Sequence, residues 1–178
     1  MLFRSGPISP AAVFFGPIGR KEPALLVAQN NFARSMRLDP MGRWKVIDQF
    51  NASAASAQVT GVTALDVDGD GKAEIAMYDR GAREVVFLKE KDGLPRRWKQ
   101  LEVGSFTLKG MTVGDFDSNG KDDLLLFDSN QMGIAYGGRQ DSELRQIASY
   151  ETDIRKGKLF DMAPGDLNAD GKIGRAHV

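Results

Sequence analysis

Short apolar runs and turn-forming residues alternate along most of the chain. Four runs of five to eight residues lie between Gly61 and Val103 and read GVTAL, EIAMYD, EVVFLKE and RRWKQLEV. Turn sequences rich in Gly, Asp and charged residues separate them, as in DRGAR and KDGLP. Runs of this length between such turns predict β-strands. The same order recurs as GMTVG, DLLLFD, QMGIAYGG and ELRQIASYE, so we predict four strands in each unit.

The units repeat with a period of about 50 residues, and an acidic sequence marks the period. DVDGDGKAE begins at Asp66, DFDSNGKDD at Asp115 and DLNADGK at Asp166, at intervals of 49 and 51 residues. One period earlier, near Gly16, AAVFFGPIGRKEPALLVAQN contains strand, turn and strand but no aspartate. We therefore place the first loop of each unit near residues 16, 66, 115 and 166.

Units of about 50 residues with four antiparallel strands are typical of β-propeller blades. We predict an all-β fold in which residues 6–172 form a single partial β-propeller of about three to four blades. The run DLLLFD lacks polar alternation, which indicates an inner strand covered on both faces. A terminal blade without a neighbour is expected to expose an apolar face. We expect Trp44 and Trp98 to hold the same place in successive units and to pack between blades.

The two ends differ in character from the repeats. LFRS near the start and IGRAHV at the end match the translation of a common sequencing adapter. We therefore expect residues 1–5 and 173–178 to be non-native. The only histidine, His177, falls within the second of these segments.

Composition and charge exclude several classes of protein. Lys plus Arg and Asp plus Glu both number 24, so the net charge is zero and no basic field indicates nucleic acid. The absence of cysteine excludes disulfides, thiolate metal sites and a thiol nucleophile. No apolar run approaches the roughly 20 residues of a membrane-spanning helix. Motifs of a nucleophile elbow, a phosphate loop or a dinucleotide site are missing, so we expect a binding module rather than an enzyme.

The first acidic loop supplies oxygen ligands at alternate positions. With Asp66 as position one, carboxylates follow at Asp68, Asp70 and Glu74, and the backbone carbonyl of Lys72 stands at position seven. Alternate side chains of a tight loop converge, and four carboxylates without a cation would repel one another. Oxygen ligands in this number match Ca²⁺, and a glycine at position six permits the sharp bend. We predict this loop to be the best calcium site.

The second and third loops repeat the ligand pattern with changes. The second loop offers Asp115, Asp117, Asn119, the carbonyl of Lys121, and Asp123. A neutral amide oxygen at position five is a change that a calcium site tolerates. The third loop offers Asp166, Asn168, Asp170 and the carbonyl of Lys172, but Gly174 at its ninth position provides no side chain. We predict a second site close in quality to the first, and a third that is impaired.

Two other loop families begin in the same way. An EF-hand loop requires a bidentate acid at position twelve, where the first two loops have Met77 and Leu126. Helical periodicity is also missing around these loops, so the EF-hand interpretation fails for them. The third copy, GDLNADGK, also resembles the start of a dockerin loop, and dockerin-like attachment is a distant third alternative.

The acidic loops and the strands around them resemble a known repeat family. ALDVDGDGKAEIAMYD and VGDFDSNGKDDLLLFD are similar to FG-GAP repeats, also described as VCBS repeats, of integrin alpha-chain propellers and many bacterial secreted proteins. The resemblance covers most of residues 24–172, although the first unit has no acids and the FG-GAP tetrapeptide itself is missing. It implies a β-propeller with calcium between the first two strands of a blade. It also implies a secreted, cell-surface or periplasmic protein that acts in adhesion or ligand binding.

One alternative function belongs to another class. A propeller of this kind can be the scaffold, or an accessory module, of a secreted carbohydrate-active enzyme such as a lyase or a hydrolase. Under either interpretation the expected partners are the remaining blades of a longer chain and an unidentified protein or glycan. Neither interpretation includes nucleic acid or a membrane span in this segment.

Overall fold

The computed structural model describes residues 9–19, 22–139 and 143–149 of the 178-residue chain. These residues form one short 3₁₀ helix and twelve β-strands, with no α-helix among them. In these ranges no helix has the length and apolar character needed to cross a membrane. The 3₁₀ helix spans Pro10–Ala12, and the strands are β1 (Val13–Gly16), β2 (Ala24–Gln29), β3 (Phe32–Leu38), β4 (Trp44–Asn51), β5 (Val59–Leu65), β6 (Glu74–Asp79), β7 (Glu84–Lys91), β8 (Leu94–Glu102), β9 (Gly110–Gly114), β10 (Asp123–Phe127), β11 (Gln131–Ala135) and β12 (Arg145–Ser149).

Every four consecutive strands form one antiparallel sheet. The first sheet contains β1–β4, the second β5–β8 and the third β9–β12, each in the order of the sequence. Leu65 at the end of β5 pairs with Glu74, and Gly114 at the end of β9 pairs with Asp123. The 49-residue sequence repeat between these two units is therefore also a repeat in strand pairing. The all-β prediction and its units of four strands are confirmed for these three sheets. Their arrangement as propeller blades stays a prediction.

The inner strands contribute alternate residues to two different cores. In β6, Ile75 and Met77 pack against the first sheet, whereas Ala76 and Tyr78 pack against the third. All six residues of β6 are buried, which explains its unbroken apolar pattern. In β10, Leu126 faces the second sheet, as the equivalent Met77 faces the first. Each sheet therefore uses one face for the preceding sheet and the opposite face for the next.

The three sheets approach one another most closely along their first strands. β5 contacts β1 and β2 of the first sheet and β9 of the third. The 3₁₀ helix also touches both β5 and β9. The fourth strands, β4 and β8, are exposed over most of their length. Packing is thus concentrated at one edge of the stack, and the opposite edge is open to solvent.

One face of the first sheet carries exposed apolar side chains. Phe14 packs into the core between the first and second sheets, and its neighbours Val13 and Phe15 point to the other side. Phe15 is 72% exposed, and Leu38, Trp44 and Val46 are also exposed. This is the kind of apolar face that the sequence predicts for a terminal unit.

The two tryptophans do not occupy equivalent places, so that prediction was wrong. Trp98 lies at a bulge in β8 and packs partly into the core between the second and third sheets. The corresponding bulge of the first sheet contains Ile47, whereas Trp44 pairs with Leu38 and is 56% exposed. Trp44 and Trp98 are 54 residues apart in the sequence, whereas the residues at the two equivalent bulges, Ile47 and Trp98, are 51 residues apart.

A glycine opposite an aromatic residue recurs where the first two strands of a sheet pair. Gly61 pairs with Tyr78, and Gly110 pairs with Phe127. A Cβ atom on Gly110 would lie 2.2 Å from Cζ of Phe127, and one on Gly61 would lie 3.3 Å from Cβ of Tyr78. The Phe127 ring therefore occupies the space that a larger residue in β9 would need.

We expect Gly110→Ala to lower the free energy of unfolding by about 1–3 kcal/mol, because the new methyl group must displace the buried Phe127 ring. Chemical denaturation measures this loss. Gly81→Ala is the matched control, since its Cβ would meet no buried ring and only Asp79 Oδ1 at 3.3 Å and Gln58 Cγ at 3.9 Å, and we expect a change within about 0.5 kcal/mol. Equal losses in the two variants would contradict a packing role for Gly110.

Candidate metal centres

Two loops of the same shape connect the first two strands of the second and third sheets. Residues 66–73 form acidic loop 1, and residues 115–122 form acidic loop 2. The backbone φ angle is positive at Gly69 (+79°) and Gly71 (+78°) in the first loop, and at Ser118 (+59°) and Gly120 (+79°) in the second. Glycine accepts this left-handed conformation without a steric penalty, and positions four and six of each loop require it.

The first aspartate of each loop organises the backbone around it. The N–H groups of Gly69 and Gly71 donate to Oδ1 and Oδ2 of Asp66, both at 2.8 Å. Asp115 accepts in the same way from positions five and six of its own loop, at 3.0 and 2.8 Å. These hydrogen bonds from the backbone to the aspartate hold each loop in its folded shape without the help of a ligand.

The acid at position nine of each loop is buried at the start of the following strand. Glu74 is 2% exposed and Asp123 is 0% exposed. The N–H of Val67 donates to Glu74 Oε2 at 3.1 Å. The N–H of Phe116 donates to Asp123 Oδ2 at 2.8 Å, and the N–H of Gly137 donates to Oδ1 at 2.7 Å. Each buried carboxylate thus ties the beginning of its loop to the strand that follows.

Burial raises the pKa of both Glu74 and Asp123 above the ordinary range of a carboxyl group. The backbone N–H donors oppose this shift, whereas the neighbouring carboxylates of Asp68 and Asp117 add to it. In each loop the ionised form is therefore disfavoured by its surroundings. At Glu74 the ammonium group of Lys89 also opposes the shift without cancelling it. A metal ion beside either carboxylate would favour the ionised form further.

Positions one, three and nine come together in both loops. The carboxylate oxygens of Asp66, Asp68 and Glu74 lie within 4.8 Å of one another, and so do those of Asp115, Asp117 and Asp123. In loop 2, Oδ1 of Asp117 is buried and has no hydrogen-bond partner among the described residues. A buried carboxylate oxygen without a partner is costly, and a metal ion is one group that would satisfy it. Both triads can therefore hold a metal ion.

Positions five and seven of the predicted ligand sets are arranged differently from the triads. Oδ1 of Asp70 accepts from the N–H of Lys72 at 2.9 Å. Oδ1 of Asn119 accepts from the N–H of Lys121 at 2.8 Å, and its Nδ2 donates to the carbonyl of Gly137 at 3.2 Å. Metal ligation by these four residues stays a prediction.

The predicted ligands of the third loop lie outside the described residues. These ligands are Asp166, Asn168, Asp170 and the carbonyl of Lys172.

Two basic residues that the sequence did not single out reach the triads. Nζ of Lys89 contacts Asp68 and lies 2.9 Å from Oδ2 of Asp70. Burial works against its ammonium group, but the hydrogen bonds to these two carboxylates outweigh it and raise the pKa of Lys89. The same contact lowers the pKa of Asp70. In loop 2, Nη2 of Arg139 lies 3.2 Å from Oδ2 of Asp117.

The loops of adjacent sheets are joined to each other. The N–H of Asp66 donates to Oδ2 of Asp122 at 2.7 Å, and the N–H of Asp122 donates to the carbonyl of Asp66 at 3.0 Å. The N–H of Gly138 donates to the carbonyl of Val67 at 2.7 Å. A backbone bridge between Gly19 and Ala73 joins the acid-free loop of the first sheet to acidic loop 1 in a similar way. The three loops therefore form a continuous series at one end of the sheets.

Two further buried acids have a structural role at the other end of the hairpins. Oδ1 of Asp79 accepts from the N–H groups of Gln58 at 3.0 Å and Gly81 at 2.8 Å. Oδ1 of Asp128 accepts from the N–H groups of Asn130 and Gln131 at 2.9 and 3.0 Å. These acids shape the turns after β6 and β10 and lie outside the triads.

Comparison with known proteins identifies no family for this chain. A scan against protein-family models gives no match, and no curated protein is significantly similar. The resemblance to FG-GAP repeats therefore rests on the sequence motifs alone and stays a prediction.

Without divalent ions, the stability of the protein is expected to fall as the pH rises above about 4.5. A group with a raised folded-state pKa contributes fully below its unfolded pKa, and this contribution is lost as the pH rises through the folded value. In Glu74→Gln, Tm should decrease less with rising pH than it does in the wild type, because one of the two carboxyl groups with a raised pKa has been removed. Melting curves in EDTA at several pH values measure it. Glu102→Gln, at an exposed site, should keep the wild-type slope.

Ser118→Gly is expected to raise the free energy of unfolding by about 0.5–1 kcal/mol, because Ser118 holds a left-handed conformation that glycine adopts without strain. Denaturant unfolding of the two proteins gives the difference. Ser105→Gly is the control, since the φ angle of Ser105 is not positive and glycine there only adds entropy to the unfolded chain. A loss of stability in Ser118→Gly would mean that its side chain has a role beyond the turn.

Proposed function

We propose that this chain is a calcium-binding module of the FG-GAP or VCBS type, built from successive blades of a β-propeller. In this proposal it serves ligand binding or adhesion in a secreted or cell-surface protein, and Ca²⁺ stabilises the loops. The observation that carries the proposal is one buried acidic triad that recurs at the same register of two successive sheets.

The chemistry of the triads favours calcium over other metals. Asp115, Asp117 and Asp123 offer only carboxylate oxygens, and the nearby side chain of Asn119 offers an amide oxygen. Hard oxygen ligands select Ca²⁺, Mg²⁺ or Mn²⁺ rather than zinc or copper. Ca²⁺ accepts six to eight ligands in irregular geometry, as a loop provides, whereas Mg²⁺ demands a near-ideal octahedron. Extracellular modules bind Ca²⁺ with dissociation constants of about 10⁻⁴–10⁻³ M, which suits a site with three carboxylates.

The stacking order of the sheets supports the propeller. The first and second sheets pack through the same pair of faces as the second and third. An interface that repeats head to tail generates a ring when the rotation between units closes, and an open stack when it does not. The first strands β1, β5 and β9 lie on the side where the sheets approach each other, and the fourth strands of the first two sheets, β4 and β8, form free outer edges. That geometry is typical of blades around an axis.

The position of the loops supports a role in binding. Acidic loops 1 and 2 lie at the same end of their sheets and are hydrogen-bonded to each other through Asp66 and Asp122. A calcium ion in either loop would fix both the loop and its contact with the neighbouring sheet. A surface made of several such loops would then have a defined shape, which ligand recognition requires.

We expect 10 mM CaCl₂ to raise the Tm of the chelator-treated protein by about 5–10 °C, and EDTA to remove the increase. The estimate follows from binding to the folded state alone at about 100 times the dissociation constant. Differential scanning calorimetry with Ca²⁺, with the same concentration of Mg²⁺, and with EDTA measures it. Mg²⁺ should give a smaller increase. Identical melting curves in Ca²⁺ and EDTA would overturn the proposal.

Asp117→Asn separates calcium binding from general charge effects. The substitution keeps the shape of the side chain and removes the charge beside the unpaired oxygen, so it should lose most of the Ca²⁺-dependent increase. Asp92→Asn is the matched control, because it removes the same charge from an exposed turn outside both triads. The control should keep the full response to Ca²⁺.

A further inference from the structure

Acidic loop 1 already contains a positive charge that comes from the protein itself. Nζ of Lys89 contacts Oδ2 of Asp68 and lies 2.9 Å from Oδ2 of Asp70 and 3.4 Å from Oε1 of Glu74. The side chain is only 26% exposed. Its ammonium group also lies 5.1 Å from the ring centroid of Trp98. Three carboxylates of the predicted ligand set therefore share one ammonium group.

Acidic loop 2 has no such group at the equivalent place. Lys89 follows Leu88 in β7, and Tyr136 follows Ala135 in β11, with the same register against the preceding strand. Tyr136 thus stands where Lys89 stands in the second sheet. Among the described residues, the ion pair to the acids of this loop comes from Arg139, whose side chain stacks on Tyr136 with Cζ 4.2 Å from the ring centroid.

Arg139 neutralises loop 2 only in part. It contacts a single carboxylate, at Oδ2 of Asp117, and leaves Oδ1 of Asp117 without a partner. The buried Asp123 accepts hydrogen bonds from backbone N–H groups, and in the described ranges it forms no ion pair with a lysine or arginine. The two loops therefore have acids at the same three triad positions but different degrees of internal charge compensation.

We propose that Lys89 is a built-in cation of acidic loop 1, which competes with Ca²⁺ for the same oxygens and leaves acidic loop 2 as the principal calcium site. This inference rests on the proposed calcium-binding function. It reverses the order of the two sites predicted from their acid content, because the number of carboxylates counts less than the number that remain uncompensated.

The competition follows from charge and position. An ammonium group and a calcium ion cannot share the same three carboxylate oxygens at contact distance without strong repulsion. Calcium must therefore displace Nζ of Lys89 and break its contacts with Asp68, Asp70 and Glu74. Because the lysine is covalently attached to β7, it is present at a high effective concentration that dilution does not lower. The metal-free first loop is correspondingly stable, whereas the second loop depends on the ion.

Calcium titration by isothermal calorimetry tests the inference in the full chain. Asp117→Asn removes one of the three carboxylates of the loop 2 triad and weakens that site. A change in affinity that a Lys89 substitution causes in this background is therefore a change at loop 1. In this background we expect Lys89→Met, which keeps the apolar stem and removes the charge, to strengthen binding at least about tenfold. Lys89→Arg retains the cation and should leave binding weak. Lys99→Met is the matched control, since Lys99 also lies over the Trp98 ring, with Nζ 4.5 Å from its centroid, but forms no ion pair with the triad.

Thermal stability provides a second readout that does not depend on the calorimetric signal. In EDTA, Lys89→Met should melt at a lower temperature than the wild type, because the buried Glu74 loses its counter-charge. Added CaCl₂ should then raise its Tm more than that of the wild type. If the double variant with Asp117→Asn folds only in the presence of Ca²⁺, that dependence itself supports the inference. A double variant that neither folds nor binds with Ca²⁺ overturns it.

The outcomes separate this inference from the proposed function. If the wild type binds no Ca²⁺ at either loop, the calcium function fails and the inference falls with it. If the wild type binds Ca²⁺ through Asp117 but Lys89→Met leaves the affinity of loop 1 unchanged, only the inference fails. Asp117→Asn leaves the affinity of loop 1 to be measured, and Glu74→Gln leaves that of loop 2. Equal calcium affinities in these two variants would also overturn the inference.

Discussion

The buried carboxylate that opens the second strand of the second and third sheets is the constraint on which the loop region depends. Glu74 and Asp123 lie opposite the last residue of the preceding strand and accept N–H bonds from Val67 and Phe116. This contact holds the start of each loop against its end. It also places negative charge where burial disfavours it, so each loop must bring a cation or backbone donors to that point.

The same acids link the loops to the packing of the sheets. Asp123 accepts from the N–H of Gly137, and the neighbouring Gly138 donates to Val67 in the loop of the preceding sheet. Asp122, which precedes Asp123 in the chain, forms two hydrogen bonds with Asp66 of the preceding sheet's loop. Charge compensation in one loop therefore bears on the position of the next sheet. Hydrogen bonds among a few polar groups at the ends of the sheets therefore help to hold neighbouring sheets together, in addition to the apolar cores between them.

The features that depend on local order could be predicted from the sequence. Strand lengths, turns and the acids at positions one, three and nine follow from neighbours in the chain, and the structure brings those acids together. Features that depend on strand pairing were missed or wrong. The predicted place of Trp44 was wrong because a bulge in the pairing of β3 with β4 decides which residue of β4 lies at the position equivalent to Trp98. Lys89 was missed because it reaches Glu74 only through the β6–β7 hairpin, although the pairing of Ile75 with Leu88 would have located it.

The three loops at this end of the sheets show that the course of the loop backbone and the charges that the loop contains are separate properties. The loop of the first sheet has no aspartate and still bridges to Ala73 of the next loop through the backbone of Gly19. Acidic loop 1 and acidic loop 2 share their left-handed positions but receive a lysine and an arginine from different places. Glycines and backbone hydrogen bonds therefore determine the path. Cations act on a loop that is already formed, so the basic residues beside its acids can differ from one sheet to the next while the backbone path of the loop is kept.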